Sequence, residues 1–212
     1  MGYYPMYVRL TDKPCLVVGG GKVAQRKIAG LLAAGASVTV VSPEGTASVE
    51  EWSRSGAIFW QRRPFLPQDV QGMVVVVAAT SDPAVNLIVY EATLPQQWVN
   101  IADRPDLCSF VVPAVVTRGD LQVAISTGGH NPGLAKKLRA ELEDWLGTEY
   151  EDYTLFLGKM RRRLLSLDLD EEEKRSILSA LLDERFYNWT KSGEIERRDV
   201  EAEKLFTRPL SP

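Results

Sequence analysis

An α/β fold is predicted for this chain: a doubly wound parallel sheet, then a small β-hairpin and helix region, then a C-terminal helical domain. Three observations lead there. From Cys15 to Ile101, apolar β-type runs alternate with helical patterns, the rhythm of a parallel sheet with crossover helices. Three glycines, Gly19-Gly20-Gly21, stand between the first apolar run and the first helical pattern. From Tyr150 onward the chain is helical, charged and nearly free of glycine and proline. The divisions expected are residues 1–112, 113–147 and 148–212.

Taken in order, residues 3–10 read as a short strand or extended lead-in, ended by the turn-forming Thr11-Asp12-Lys13-Pro14. Cys15–Val18 is continuously apolar, as a strand covered on both faces requires. From Lys22 to Ala34, Ala24, Ile28, Leu31 and Leu32 share one helical face, and Gly35 is a natural stop. Ser37–Val41 is a β-branched strand, completing a β-α-β unit whose crossover should be right-handed. Glu44–Ser55 is read as a helix stopped by Gly56, and Ala57–Trp60 as a short strand. Gln61–Pro67 is a loop in which Arg62 and Arg63 read as a solvated surface pair. Met73–Ala79 is the strongest strand. After it, Ser81 or Asp82 caps a helix with Pro83 at its first position. Trp98–Ile101 restores a strand.

The rhythm then changes. Phe110–Thr117 and Leu121–Ser126, joined at Arg118-Gly119-Asp120, read as an antiparallel hairpin because the connection is too short for a crossover. Asn131 caps a helix with Pro132 at its start, Leu134, Leu138, Leu142 and Trp145 on one side, and Gly147 as its stop. Three further helical segments follow: one through Tyr153–Leu167, one from near Asp170 with Ile177, Leu178, Leu181 and Leu182 on its apolar side, and one ending near Phe206. Their stripes have no third sheet to cover, which predicts a helical domain that also forms a dimer interface.

Composition narrows the function. At 212 residues, 45% hydrophobic and 25% charged, the chain is an ordinary globular one able to bury a substantial core. A net charge of −3 gives no electrostatic reason to expect nucleic acid. No apolar run approaches the roughly 20 residues that span a membrane, and Met1–Pro5 lacks the features of a signal peptide. Cys15 and Cys108 are far apart and have no clustered histidines, so neither a disulfide framework nor a metal site is suggested. A reduced, cytoplasmic setting is expected.

The chemistry centres on the glycines. Gly19, Gly21 and Ala24 fit the G-x-G-x-x-G/A spacing of a dinucleotide fingerprint. The first glycine permits a tight turn, the second lets a pyrophosphate approach the backbone, and the small third residue packs helix on strand while helix amides face the phosphates. NAD is favoured over NADP, since no arginine follows the second strand to meet a 2′-phosphate. The acid usual for the ribose is also missing there: the strand ends Val41-Ser42-Pro43-Glu44, where Ser42 could take a hydroxyl and Glu44 could reach or belong to the next helix. Thr80, with Ser81, Asp82 and Asn86, sits at a strand end suited to a nucleotide crevice, and Asn100 with Asp103 follows the fifth strand. A lone loop aspartate is usually a turn former. Gly128-Gly129-His130-Asn131-Pro132, with Lys136, Lys137 and Arg139, is either a second anion site or a capped helix with a solvated basic face. His130 is the only histidine, and a single loop histidine more often has no catalytic or metal role.

In motif order the chain resembles precorrin-2 dehydrogenase, the dehydrogenase/ferrochelatase module of siroheme synthases. The resemblance rests on Pro5-Met6-Tyr7, the run Leu16–Lys27, Ala78-Ala79-Thr80-Ser81-Asp82 with Asn86, Asn100-Ile101-Ala102-Asp103, Phe110–Ala114, and Ser126-Thr127-Gly128-Gly129 with Pro132. It implies a homodimer in which NAD accepts a hydride from precorrin-2 to give sirohydrochlorin, for siroheme or cobalamin; some members also insert ferrous iron. By resemblance Gly19, Gly21, Lys22, Val23, Pro43 and Thr80 border NAD, and Asp103 falls on the catalytic aspartate, a general base. Asn100, Ser126, Thr127, Gly128, Gly129 and Asn131 would contact the polyanionic substrate. Asn131 departs from the family's usual serine, Arg104 would favour the Asp103 carboxylate if it turned inward, and no methyltransferase module follows. The competing reading is a non-enzymatic NAD(H)-sensing Rossmann domain with a helical dimerisation arm, which would have no reason to carry both Asp103 and the Gly128-Gly129 turn.

Overall fold

The structure is a computed structural model and describes residues 2–207. It divides into a first unit ending at Val112 and a second beginning at Pro113.

The first unit is built on five parallel strands, β1 (Pro14–Val18), β2 (Ser37–Val41), β3 (Ile58–Gln61), β4 (Val75–Ala78) and β5 (Trp98–Ile101), in the order β3-β2-β1-β4-β5. This is the strand order of the doubly wound, Rossmann-like class. Helices α1 (Lys22–Ala33), α2 (Ala47–Arg54) and α3 (Pro83–Ala92) make the crossovers. Because alternate strand residues point to opposite faces, the continuous β-branched runs feed two cores. Cys15, Val17, Val38, Val40, Val75 and Val77 pack with Ala24 and Ile28 of α1. Leu16, Val18, Val76, Ala78, Val99 and Ile101 pack with Val89 of α3. Burial pushes the Cys15 thiol up to about 11, so it is inert packing material.

Several expectations are corrected here. Of the two readings of residues 3–10, the strand is not formed: they take no regular structure, lead into the turn before β1 and are largely exposed. Helix α2 begins at Ala47, not Glu44, because Thr46 caps it by accepting from the Val49 amide. Glu44 is therefore outside the helix. Arg63 is not a freely solvated partner of Arg62: its guanidinium binds both oxygens of Asp69, at 2.6 and 2.8 Å, and the Gln61 side chain. That pairing holds the Asp69 carboxyl below its ordinary value.

In the second unit, β6 (Ala114–Arg118) and β7 (Leu121–Ile125) form the antiparallel hairpin. The first strand starts later than the apolar run suggested, at the residue after Pro113, which has no N–H to donate. Helix α4 (Pro132–Trp145) packs on this hairpin. Arg118 ties the two together by donating to the carbonyls of Glu143 and Leu146, both at 2.7 Å, so the end of the helix does not leave these acceptors bare. Among the described residues four helices follow rather than three: α5 (Glu149–Leu165), α6 (Glu171–Ala180), α7 (Glu184–Ser192) and α8 (Ile195–Thr207). The extra break is Gly193, whose φ of 77° ends α7 in the left-handed region. Tyr153, Phe156, Met160, Leu164, Ile177, Leu181, Phe186 and Trp189 form the core of this bundle. No helix among the described residues is long and apolar enough to cross a membrane.

Candidate functional site

In doubly wound sheets the ligand crevice lies beyond the strand C-termini where the strand order reverses, here between β1 and β4. A cleft of about 690 Å³ opens at that place, lined by Val18–Gly21, Val41–Thr46, Pro64, Phe65, Ala79–Asp82 and Val85. Gly19, Gly21, Pro43 and Thr80, four of the residues expected to border the cofactor, are thus brought together.

The turn entering α1 has the form a diphosphate requires. Gly19 sits at φ 115° and donates its amide to the Val41 carbonyl at 2.9 Å; a Cβ there would lie 2.5 Å from the Ala79 carbonyl oxygen. Gly21 caps α1 with no side-chain hydrogen bond, and a Cβ on it would meet nothing within 4 Å. Among the described residues the amides of Gly20, Gly21, Lys22 and Val23 have no hydrogen-bond partner. The result is a hollow floored by unpaired N–H groups at the positive end of a helix, which fits the pyrophosphate of a dinucleotide. Lys22 and Val23 enter this set through their amides; their side chains are not part of the cleft lining.

Thr80 is fixed rather than free. Its hydroxyl lies 2.8 Å from Asn86 Oδ1 and donates to the Asp82 carbonyl at 2.9 Å, while buried Asn86 also accepts from the Thr80 amide. Asp82 caps α3 by accepting from the Ala84 amide, the structural alternative considered for it. On the other wall, Trp60 Nε1 donates to both Ser42 oxygens at 3.1 Å, so the serine expected to meet the ribose is buried and oriented. Glu44, one of the two residues considered for the ribose, lines the cleft; Gly45, Thr46 and Phe65 line it too and escaped the sequence reading. For Phe65 the only signal was an apolar residue between two prolines in a loop.

Asp103 lies beyond β5, exposed, in a tight turn with φ 61°. For a residue other than glycine that conformation is unusual, and aspartate tolerates it better than most. Arg104 does not turn toward it: its guanidinium is held by Asp106, at 2.7 and 3.0 Å, and draws the Asp106 carboxyl downward in pKa. The expected help of Arg104 to Asp103 is thereby replaced by a local ion pair. The turn is tied at its base by Cys108, whose sulfur accepts from the Ile101 amide at 3.2 Å. Asn100 is buried at 7% exposure, with its amide donating to the Phe110 carbonyl at 3.0 Å and reaching the same sulfur. Asn100 therefore spends its side chain on the loop.

In the second unit, Ser126–Asn131 forms the expected turn, with Gly128 and Gly129 at φ 63° and 86°. Its amides are largely answered from within. Ser126 Oγ accepts from Gly128, Thr127 Oγ1 from Asn131, and Asn131 Oδ1 from Leu134, at 2.9–3.1 Å. Gly129 and Gly133 retain amides without a partner among the described residues.

Comparison with known proteins agrees with this geometry. Residues 6–114 match the family described as putative NAD(P)-binding, 118–144 the sirohaem biosynthesis protein central family, and 150–192 the SirC C-terminal domain. Siroheme synthase 3 of Aeromonas hydrophila subsp. hydrophila is 40% identical over 183 residues, covering 86% of this chain and 39% of that protein. A siroheme synthase of Methylococcus capsulatus is 38% identical over 197 residues, covering 91% of this chain and 39% of the relative. The chain spans about two fifths of the length of these curated relatives. The solved structure of SirC, precorrin-2 dehydrogenase, matches with a TM-score of 0.79 at 31% identity, over 93% of this chain and 99% of that one. The cleft is that of an NAD(P)-binding domain.

Proposed function

The chain belongs to the family of SirC precorrin-2 dehydrogenase and the siroheme synthases, and from that premise we propose that it oxidises precorrin-2 to sirohydrochlorin with NAD. The observation that carries the reading is the open amide turn at the end of β1, two strands from the loop that bears Asp103. When bound, the nicotinamide accepts the hydride. The residues of the chain do the rest. Gly20–Val23 hold the diphosphate through their amides, Pro43 and Ser42 border the ribose, and Thr80, steadied by Asn86, borders the cofactor from β4. Charged side chains in the cleft lining are the carboxylates Glu44 and Asp82, with no lysine or arginine among them. A 2′-phosphate would meet only like charge there, which supports NAD over NADP.

Loss of a hydride leaves precorrin-2 with one proton to surrender, and Asp103 takes it as general base, so that sirohydrochlorin, NADH and one proton balance the two hydrogens removed. Asn100, Ser126, Thr127, Gly128, Gly129 and Asn131 border the macrocycle in this reading, Asn100 through the loop it braces. Residues 113–147 form the dimerisation region, supported by the exposed Leu134, Leu138 and Trp145 on α4.

Mixing the protein with precorrin-2 and NAD and following the absorption spectrum tests the reaction: sirohydrochlorin should appear with NADH, and no oxidation overturns the reading. Asp103→Asn should lower turnover by roughly 10²- to 10⁴-fold and leave NAD affinity unchanged; a fully active variant rejects Asp103 as the base. Ferrous iron insertion is assigned to the same site if, without oxygen, the protein accelerates metallation of sirohydrochlorin above the protein-free rate. Light scattering decides the dimer.

A further inference from the structure

Among the described residues, Lys27 is a cation without a counter-ion. It lies on α1 three residues after Ala24 and one before Ile28, both fully buried against the sheet, and is itself half-buried. Among the described residues it makes no ion pair and no hydrogen bond; it lies within electrostatic reach of Cys108, whose thiol burial keeps protonated, and of the neighbouring Arg26, a like charge. Burial pulls its pKa below the ordinary lysine value. Cys108 is the knot of the Asp103 loop, bonded to Ile101 and in reach of Asn100. Asp106, the carboxylate that also acts on Cys108, is taken by both nitrogens of the Arg104 fork.

The placement follows from elementary geometry. In the parallel register Asn100 stands beside Val77, whose side chain packs on the α1 face of the sheet, so Asn100 projects to that face too. A long side chain on a helix leans toward the helix N-terminus, which in this fold is the end where the strands finish and ligands bind. A lysine at the sixth position of α1 thus directs its charge to the foot of the loop carrying Asp103.

We propose that Lys27 is a substrate-binding residue that receives a carboxylate arm of the tetrapyrrole and seats the macrocycle against Asp103. The inference rests on the reading of this chain as a precorrin-2 dehydrogenase. A half-desolvated ammonium without a counter-ion is a standing cost to the folded protein, and an arriving carboxylate offsets it. The substrate carries several such arms, and the cleft walls themselves offer it only like charge.

Lys27→Met and Lys27→Gln separate this role from packing. In each variant the KM for precorrin-2 should rise on the order of tenfold or more, with kcat within about twofold, NAD affinity unchanged and the unfolding temperature unchanged or higher. Lys27→Arg, which keeps the charge, should restore most of the affinity. Binding of sirohydrochlorin, titrated by absorbance without NAD, should weaken in parallel. If wild-type protein oxidises precorrin-2 but KM is unchanged in both neutral variants, the role of Lys27 is overturned alone. A lower unfolding temperature with kcat and KM falling together, unrescued by arginine, also overturns it, as a structural lysine. No oxidation by the wild type overturns this inference together with the reaction it rests on.

Discussion

The turn at Gly19–Val23 and the turn at Ser126–Asn131 are built from similar residues, each rich in glycine and each opening a helix of at least 12 residues. The first caps its helix with a glycine and leaves four successive amides without a partner among the described residues, beside a cleft. The second fills the same need with its own side chains: a serine, a threonine and an asparagine each accept one of its amides. Helix N-termini carry orphan donors as a matter of geometry, and something must meet them. Where the chain supplies the acceptor, that donor serves the turn and the helix, and at the second turn Gly129 and Gly133 keep theirs open among the described residues. Where it withholds one, the donors are held for a ligand, and folding proceeds without that stabilisation.

Substitutions can break that contrast or sharpen it. The largest effect is expected from Gly19→Ala, which combines a left-handed backbone with a clash against Ala79; it should cost about 2–4 kcal/mol in thermal or urea unfolding and abolish NAD binding. Gly21→Ala is the sharper test, since its added methyl meets only open cleft. Calorimetry should show NAD binding weakened on the order of 10- to 100-fold with unfolding unchanged; a variant binding NAD normally would mean that the hollow is not where the diphosphate sits. Asn131→Ala should do the reverse, costing about 1 kcal/mol of stability with no change in NAD affinity. Ser126→Ala, removing one exposed hydrogen bond, should cost about 0.5 kcal/mol by the same measurement.

Much of the first unit was legible because its signals are local and redundant. β-branched runs such as Val75–Val77 have few alternatives to a buried parallel strand, and Gly19, Gly21 and Ala24 stand at a spacing tied to one backbone path. Features set by tertiary pairing were hidden. Nothing about Trp60 announces that its indole clamps Ser42 eighteen residues earlier, or that Arg63 spends its charge on Asp69. Arg104 next to Asp103 invited a pairing that Asp106 wins through the geometry of the intervening Pro105 turn. In the helical unit the apolar stripes were visible, but Gly193 divides two helices at a point where the surrounding charged sequence continues to look helical.

The left-handed turn at Asp103 has a consequence for anyone altering that position. Replacement there acts on two things at once, the carboxylate and the path of the chain. Asparagine keeps the path and removes the carboxylate. Glutamate keeps the carboxylate but is less at ease in this backbone region, and a β-branched residue would cost roughly 1–2 kcal/mol there before any chemistry is considered. Asp103→Glu, by habit the gentle exchange, is thus the less interpretable variant, and Asp103→Gly, which leaves the turn relaxed and removes the proposed base, is the cleaner companion to asparagine.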